Sequence, residues 1–478
     1  MILMLPELYL GFVVVVFLFW YALFQIFSQD KHHRRIFINI FHILFMVYLY
    51  CQSNLLGSWQ EQLIFGNLFF ISDLLTLFKF MLGGLLYVLL LLFTFEIVKI
   101  EEWILVVISF LGYLIALSSN NLLVLFLGWE LASMSFYVLV TNKRFNIYSI
   151  EAGLKYFLYG AFSSGLFLLG LSYLYGFSGM IGLREIGVYI QFSSDISISL
   201  LLILVSFMIK IGLFPFHYWV PDVYEGTSSF IVGLLSIFSK VVYLMLLIFV
   251  FYLKLGVFLN WIVIYMLWTV VFTVFVGIIG GFLQVNLYRI VAFSGFVHLG
   301  FMLSSFVLCM EDGLQVLLFY MAVYVVMMVN FIGILKLIRQ QSLTIIKFLG
   351  LWDSNRYLCV SLIVLLFSLV GIPPLLGFVS KLFVLRSLLE NSYYILSIYL
   401  ISFSVIGSLF YLRIIVVMFF IDNYVKFAYA RLVRIVLVNY KIDWVASHVI
   451  SVTFWLIVTS IMFSDKLWLS LFILVNGL

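Results

Sequence analysis

Apolar runs of about 20 residues follow one another along almost the whole chain, and they narrow its fold more than any other feature. We read fourteen of them: 7–28, 36–56, 74–95, 103–119, 121–141, 150–175, 197–216, 228–252, 259–281, 287–309, 313–335, 357–386, 392–420 and 446–464. A run of that length crosses a hydrocarbon core of about 30 Å as an α-helix. In lipid every backbone N–H and C=O must be satisfied by the protein itself, which leaves helices or closed barrels. Barrel strands alternate polar and apolar residues, and these runs do not. The expected fold class is therefore an all-α polytopic membrane protein of about fourteen transmembrane helices, without strands. Composition agrees: 66% of the residues are hydrophobic and 9% charged, and the mean hydropathy is +1.27. A soluble domain carries roughly a quarter charged residues. The stretch after Asp465-Lys466, L-W-L-S-L-F-I-L-V-N-G-L, is read as lying along the interface.

The first residues, M-I-L-M-L-P-E-L-Y-L, lack the basic lead of a secretory or transit peptide. Insertion is expected to rely on the spans themselves. Cys51, Cys309 and Cys359 are isolated and no C-x-x-C occurs, which argues against thiolate metal or iron–sulfur ligation in this chain. No glycine-rich phosphate or dinucleotide fingerprint stands out. The expectation is no metal, no cofactor and no redox centre held by this chain. Phe (53) and Tyr (29) are abundant, as suits an AT-rich organellar genome.

Basic residues orient the spans. The odd-numbered connections hold fifteen of them: Lys31, Arg34, Arg35, Lys99, Lys143, Arg144, Arg289, Lys336, Arg339, Lys347, Arg356, Lys426, Arg431, Arg434 and Lys441. The even-numbered connections and the two ends hold four: Arg184, Lys254, Arg386 and Lys466. Odd connections are therefore expected on the cytosol-like side, the matrix in a mitochondrion, with both termini opposite. Basic runs on matrix-side membrane loops fit orientation and partner docking, and nucleic-acid binding is a poor reading of them.

Six basic residues fall inside the spans: Lys79, Lys155, Lys210, Lys240, Lys381 and Arg413. Glu130 is a mid-span acid, and Glu151 lies near a span end. An ionisable group near the bilayer centre costs about 2.5–3.5 kcal/mol on the mildest scale, so it survives only when paired, buried in protein or beside water. Lys79 and Arg413 are read as structural, snorkelling to an interface. His42 is read as a core histidine. His217, just past a break, faces water in this reading but is given no role.

Four of the five prolines sit in two places. One reads K-I-G-L-F-P-F-H-Y-W-V-P-D-V-Y-E-G, starting at Lys210. The other reads S-L-V-G-I-P-P-L-L-G-F-V-S-K and ends at Lys381. Proline removes a backbone donor and clashes with the preceding turn, and in a membrane such breaks are confined to protein interiors and wet cavities. Two interrupted spans about five helices apart point to an inverted-repeat transporter and its ion path. Burial disfavours a lysine's charge and a nearby carboxylate favours it. A lysine held between the two changes charge near neutral pH and acts as a switch when its partner moves.

The segments F-L-G-W-E-L-A-S-M-S-F-Y-V-L, E-A-G-L-K-Y-F-L-Y-G-A-F-S-S-G, K-I-G-L-F-P-F-H-Y-W-V-P-D-V-Y-E-G, F-S-G-F-V-H-L-G-F-M and S-L-V-G-I-P-P-L-L-G-F-V-S-K carry a resemblance. In order and spacing over residues 121–386 the chain resembles the antiporter-like, proton-pumping membrane subunits of mitochondrial respiratory complex I (NADH:ubiquinone oxidoreductase), the subunit 2 group. The resemblance implies fourteen helices in an inverted-repeat, antiporter-like architecture. Its segments would be 1–102, three N-terminal helices; 103–254 and 255–420, two half-repeats with breaks near 210–217 and 371–381; and 421–478, a basic loop, last helix and tail. It also implies proton-translocating roles for Glu130, Lys210, Lys240, His298 and Lys381, with Glu151, Lys155 and Asp222 as further candidates. NADH, FMN, iron–sulfur clusters and ubiquinone would belong to partner subunits. The partners would be other membrane-arm subunits, neighbouring antiporter-like subunits among them, and lipids such as cardiolipin, in the mitochondrial inner membrane.

Two departures stand out. Thr227-Ser228-Ser229-Phe230 replaces a proline-bearing entry to the eighth span, and Phe301 replaces the tyrosine of H-x-G-Y. Bland alternatives stay open beside each assignment. Glu130 and His298 also suit hydrogen-bonded structural residues. Glu151 and Lys155, spaced i, i+4 in the favourable order, also suit mutual neutralisation. At the level of function, a stand-alone cation/proton antiporter subunit and a non-pumping scaffold are the rival readings.

Overall fold

The structure, a computed structural model of the chain, describes residues 5–24, 31–56, 62–93, 100–143, 146–190, 197–254, 259–308, 311–338, 344–348, 351–419, 444–459 and, near the end, 464, 466 and 468–471. The basic segment 421–443 and Cys309 lie outside the described residues, as does most of the tail.

The chain begins with α1 (Leu5–Phe24) and α2 (Lys31–Ser53), then a hairpin of β1 (Gln62–Ile64) and β2 (Phe69–Ile71). Next come α3 (Asp73–Phe93), α4 (Ile100–Ser118), α5 (Leu122–Val140), α6 (Ile147–Ser178), α7 (Leu183–Ile190), α8 (Ser197–Ile211) and α9 (Trp219–Gly226). α10 (Ser229–Gly233) passes through a π-helical turn, Leu234–Phe238, into α11 (Ser239–Leu247), and a second π-helical stretch covers Ile248–Lys254. α12 (Leu259–Leu283), α13 (Leu287–Val307) and α14 (Glu311–Ile338) follow. After a 3₁₀ turn at Ile345–Phe348 come α15 (Leu351–Ser354), α16 (Arg356–Val370), α17 (Leu376–Glu390), α18 (Tyr394–Phe419) and α19 (Trp444–Val458).

Among the described residues, nine helices are long and apolar enough to cross a membrane, and five shorter apolar helices accompany them. Each of these falls on one of the fourteen expected spans. The expectation of no strands is corrected: β1 and β2 pair antiparallel, with Leu63 opposite Phe70. Their turn, Phe65-Gly66-Asn67, is left-handed at all three residues. Gly and Asn suit that conformation, and Gly66-Asn67 was the sequence signal for it.

The described residues form two compact units. The first comprises Met1–Ile211 and Phe238–Leu259. Its tightest seam joins α4 to α5, where Gly112 and Ala116 face Gly128 and Ala132. A methyl added at Gly128 would fall 2.6 Å from the Ala116 nitrogen, and one at Gly112 would fall 2.6 Å from the Gly128 oxygen. Without a hydrophobic drive between helices in lipid, small residues spaced by four let two backbones touch. α6 buries Gly153, Tyr156, Gly160, Ser163, Phe167, Gly170 and Leu174, a 3–4 spacing that makes one inward stripe. Its Gly170 lies against α8 at Ser199 and Ile203.

The second unit comprises Gly212–Ile237 and Asn260–Leu478. α13 is buried along its whole length. Asn286 caps its start, the side-chain oxygen accepting from Tyr288 N at 3.2 Å. α18, by contrast, turns Ile395, Ile398, Val405 and Leu409 outward.

Contacts between connections obey the alternation that fourteen spans require. In the first unit Asn120, after the fourth span, donates to Asn67 O at 3.0 Å, and Leu183 N donates to Asn120 O at 2.8 Å. These residues belong to the second, fourth and sixth connections. Asn142, after the fifth span, donates to Glu102 at 2.6 Å, at the entry to the fourth. In the second unit Asn286 of the ninth connection donates to Glu225 of the seventh at 2.9 Å and bridges Thr344 of the eleventh. Gln315, at the start of the eleventh span and so next to the tenth connection, donates to Trp468 O of the C-terminal segment at 3.0 Å. Every pair joins like parities.

Candidate functional site: buried ionisable residues at two broken helices

The seventh and twelfth spans are interrupted where the prolines predict. α8 stops at Ile211, and Gly212 turns the chain at φ +81°. α16 stops at Val370, and Gly371 caps it at φ +89°. Such left-handed residues favour glycine, which has no Cβ to clash. Gly371 N donates to Phe367 O at 3.0 Å and Ile372 N to the same oxygen at 3.1 Å, which closes the helix end. Phe214–Pro215 and Pro373–Pro374 are both cis. α8 and α16 have 15 residues each, about 22 Å at 1.5 Å per residue. Both stop short of a core about 30 Å thick, so each places its C-terminal carbonyls inside the membrane.

In the first unit Lys210 occupies the last turn of α8. Its Nζ lies 3.7 Å from Glu130 Oε1 on α5, with side chains 3% and 18% exposed. Glu130 accepts from Ser133 Oγ at 3.1 Å through its other oxygen. Lys210 Nζ also lies 5.3 Å from the Trp129 ring centroid and 5.9 Å from that of Tyr137, so ring faces add attraction for the cation. At 3.7 Å the pair is in ionic contact without a tight hydrogen bond, a separation that leaves room for partner exchange. The Gly112–Gly128 seam sets α5, and hence Trp129 and Glu130, at this depth. Lys240 is buried one residue into α11, directly after the π-helical turn. One turn further, Tyr243 accepts from Tyr113 Oη at 3.4 Å, and its ring packs on Trp129 at 5.4 Å. Ser133, Trp129, Tyr113 and Tyr243 were not singled out in the sequence. The i+3 spacing of Ser133 from Glu130 and of Tyr243 from Lys240 was the available signal.

In the second unit Lys381 on α17 reaches back to α16. Its Nζ donates to Leu369 O at 2.9 Å and Val370 O at 2.6 Å. The last carbonyls of a helix lack intrahelical donors and carry partial negative charge, so the ammonium serves as a cap. Phe301 faces the same group, its ring centroid 5.4 Å from Nζ. The hydroxyl of the H-x-G-Y tyrosine is therefore absent from the ring that faces Lys381 Nζ. His298, one turn earlier on α13, shares a 2.9 Å hydrogen bond between Nδ1 and Tyr320 Oη. Its ring lies 5.7 Å from that of Tyr324, whose hydroxyl donates to Ser236 O at 3.0 Å.

Other candidates fall elsewhere. Glu151 and Lys155 pair with each other at 2.6 Å on α6, 55% and 36% exposed. Asp222 accepts from Arg289 Nη2 at 3.2 Å, while Arg289 Nε donates to Glu225. These contacts pin α9 to the start of α13. His217 is buried among the rings of Phe214, Tyr218 and Phe296, which corrects its water-facing reading. Arg413 donates to Phe282 O at 3.2 Å. Lys79 does not snorkel: it is buried and paired with Glu7 at 2.5 Å. Among the described residues no group of three His, Cys, Asp or Glu is placed to hold a metal.

Apolar helices of membrane length, with two spans broken beside lysines, describe a polytopic membrane protein. A profile described as "NADH:quinone oxidoreductase/Mrp antiporter, TM" matches residues 119–410, and the chain belongs to this family. It is 35% identical over 330 residues to NADH-quinone oxidoreductase subunit N of Pelagibacter ubique, covering 68% of this chain and 70% of that one. It is 34% identical over 333 residues to NADH-ubiquinone oxidoreductase chain 2 of Marchantia polymorpha, covering 67% of each. The fold is similar to a chain of respiratory complex I from Thermus thermophilus with bound Aureothin, with a TM-score of 0.73 and 20% identity over 94% of this chain and 97% of that one.

Proposed function

We propose that this chain is an antiporter-like, proton-translocating membrane subunit of a respiratory NADH:quinone oxidoreductase. Its drive comes from electron transfer in partner subunits, which carry NADH, FMN, the iron–sulfur clusters and the quinone. The observation that supports this most is the Glu130–Lys210 contact, 3.7 Å across α5 and the broken end of α8. An ion pair this buried holds a proton on the lysine while the carboxylate is near and releases it when the carboxylate moves. In this reading protonation of Lys210 is coupled to Lys240 in the first unit, and through His298 to Lys381 in the second. The helix-end carbonyls that hold Lys381 give the ammonium a resting place, from which a proton leaves when the break reshapes. Asp222 supports the machinery by fixing α9, and Glu151 and Lys155 stand outside it.

The membrane is the mitochondrial inner membrane in this reading. The relative named NADH-ubiquinone oxidoreductase chain 2 and the Phe- and Tyr-rich composition support that placement. The basic odd connections face the matrix and both termini the intermembrane space. Other membrane-arm subunits, neighbouring antiporter-like ones among them, and cardiolipin are the expected partners.

The test is Glu130→Gln in the assembled complex. The expected result is normal assembly with a reduced number of protons moved per electron pair. An unchanged ratio contradicts the assignment. The family also includes antiporter subunits, so a second measurement separates the rival reading. Sodium/proton or potassium/proton exchange by the chain in vesicles without any redox partner favours an antiporter.

A further inference from the structure

The eleventh span carries a buried amide that the mechanism above does not use. Asn330 on α14 is 0% exposed. Neither its Nδ2 nor its Oδ1 has a hydrogen-bond partner among the described residues. An asparagine amide offers two N–H donors and an oxygen with two lone pairs, and none of that capacity is met by those residues. Polar side chains inside spans commonly bond across to a neighbouring helix; this one does not. A buried polar group without a protein partner is the usual seat of a bound water.

The register of α14 on the twelfth span ties the amide to the second break. Phe319 meets Phe383 on α17, ring centroids 5.1 Å apart. Met327 Sδ lies 3.4 Å from a methyl built at Gly377. The two helices therefore run antiparallel, and ascending α14 means descending α17 toward its start at Leu376. Asn330 follows Phe319 by eleven residues, about three helical turns, which returns it to the same face. One turn past Met327, the same register reaches the break, Gly371–Leu375. Lys381 is held there: its Nζ donates to Leu369 O and Val370 O and lies 3.4 Å from a methyl built at Gly371. Pro373 and Pro374 bring no backbone donor to the break, and in a membrane ordered water is one of the groups that satisfy such interruptions. Beyond Asn330, α14 runs on through the buried Lys336 toward the eleventh connection. Water reaching Lys381 from the odd-connection side passes the level of Asn330.

We propose that Asn330 is a positioning residue of the second proton path, and that its amide holds water at the break on the odd-connection side of Lys381. Nδ2 donates to a water oxygen and Oδ1 accepts from a water O–H, so the amide itself neither gains nor loses a proton. Once Lys381 has released its proton, a hydronium arriving from that side reloads it through the held water. One O–H bond breaks at the hydronium, one N–H bond forms at Nζ, and neutral water remains. The role rests on the reading of the chain as a proton translocator, and it names the group that keeps the approach to Lys381 wet.

The experiment uses the assembled complex carrying Asn330→Leu, which keeps a similar branched outline and removes the amide, beside Asn330→Ser and Lys210→Met. Asn330→Leu is expected to keep or raise the melting temperature, because it replaces a polar group that the protein does not bond, and to move fewer protons per electron pair. Asn330→Ser, whose hydroxyl still binds water, is expected to recover part of that loss. An amide with a structural role alone predicts the reverse, a lower melting temperature at the parental proton ratio. An experimental map of the parent complex that resolves waters is expected to place a water oxygen within hydrogen-bond distance of Nδ2 or Oδ1, and it decides the matter when Asn330→Leu fails to assemble. A parental ratio in Asn330→Leu, or a map in which both amide atoms bond only protein groups, overturns the proposal. If Lys210→Met pumps at the parental ratio, the reading of the whole chain fails. If Lys210→Met loses pumping and Asn330→Leu does not, only the role of Asn330 is refuted.

Discussion

Lys210 and Lys381 share a setting, the broken end of a helix inside the membrane, but their ammonium groups are held differently. Lys210 faces a carboxylate and two aromatic rings. Lys381 faces two backbone carbonyls and one ring. A carboxylate can swing or take a proton, whereas a helix-end carbonyl moves only with its backbone. Lys381→Met leaves two buried carbonyls without their donor, at about 1–3 kcal/mol each. That variant is expected to lower the melting temperature of the complex, and Lys381→Arg to restore most of the loss, both read by thermal-shift assay. Phe301→Tyr tests the departure at the ring facing Lys381. The added hydroxyl puts a proton-carrying group on the ring that faces the ammonium, and the expected result is equal or faster proton delivery with unchanged assembly, read as pumping rate per complex.

Elements place these residues through contacts of very small area. The α4–α5 seam depends on Gly112 and Gly128, and Gly128→Leu forces the helices apart. Overpacking of this kind costs about 1–3 kcal/mol. The variant is expected to lengthen the Glu130–Lys210 separation and reduce pumping more than assembly, measured on complex purified to equal subunit content. At the second break, Gly371→Ala places a methyl 3.0 Å from Lys381 Cδ in a left-handed conformation, which costs about 1–2 kcal/mol for the backbone alone. Gly84→Ala, on a helix with open space around it, is the matched control and is expected to be neutral in the same thermal assay. Both breaks were legible in the sequence, because proline and glycine act through the backbone and leave a local mark. So were the candidate lysines, whose cost in lipid makes each one conspicuous. The carbonyl cap on Lys381 was not legible, because backbone acceptors carry no residue identity. The Glu7–Lys79 pair was hidden for another reason: its partners are 72 positions apart, and a carboxylate at the start of a span looks like an interfacial group until a distant helix covers it. The β1–β2 hairpin is hard to read in the sequence because three-residue strands are too short for an alternating pattern to show beside long apolar runs.

For the whole molecule, helix number and alternation follow from hydropathy, and the parity of the connection contacts supports them independently. Cysteines introduced at Asn67 and Ser178, in even connections, are expected to react with impermeant maleimide from one side of the membrane. Cysteines at Asn142 and Glu225, in odd connections, are expected to react from the other. Mixed labelling within either set contradicts the fourteen-span path. The division into two units with one broken helix between α8 and α9 and another between α16 and α17 gives the chain two places where charge can change inside lipid. The account stands on the claim that the charge on Lys210 changes during turnover and that this change moves protons. The most direct measurement is the number of protons translocated per electron pair by complex carrying Lys210→Met, reconstituted in sealed vesicles at parental subunit content. The account predicts a clear fall in that number with the complex intact. A parental value, with electron transfer also at the parental rate, contradicts it.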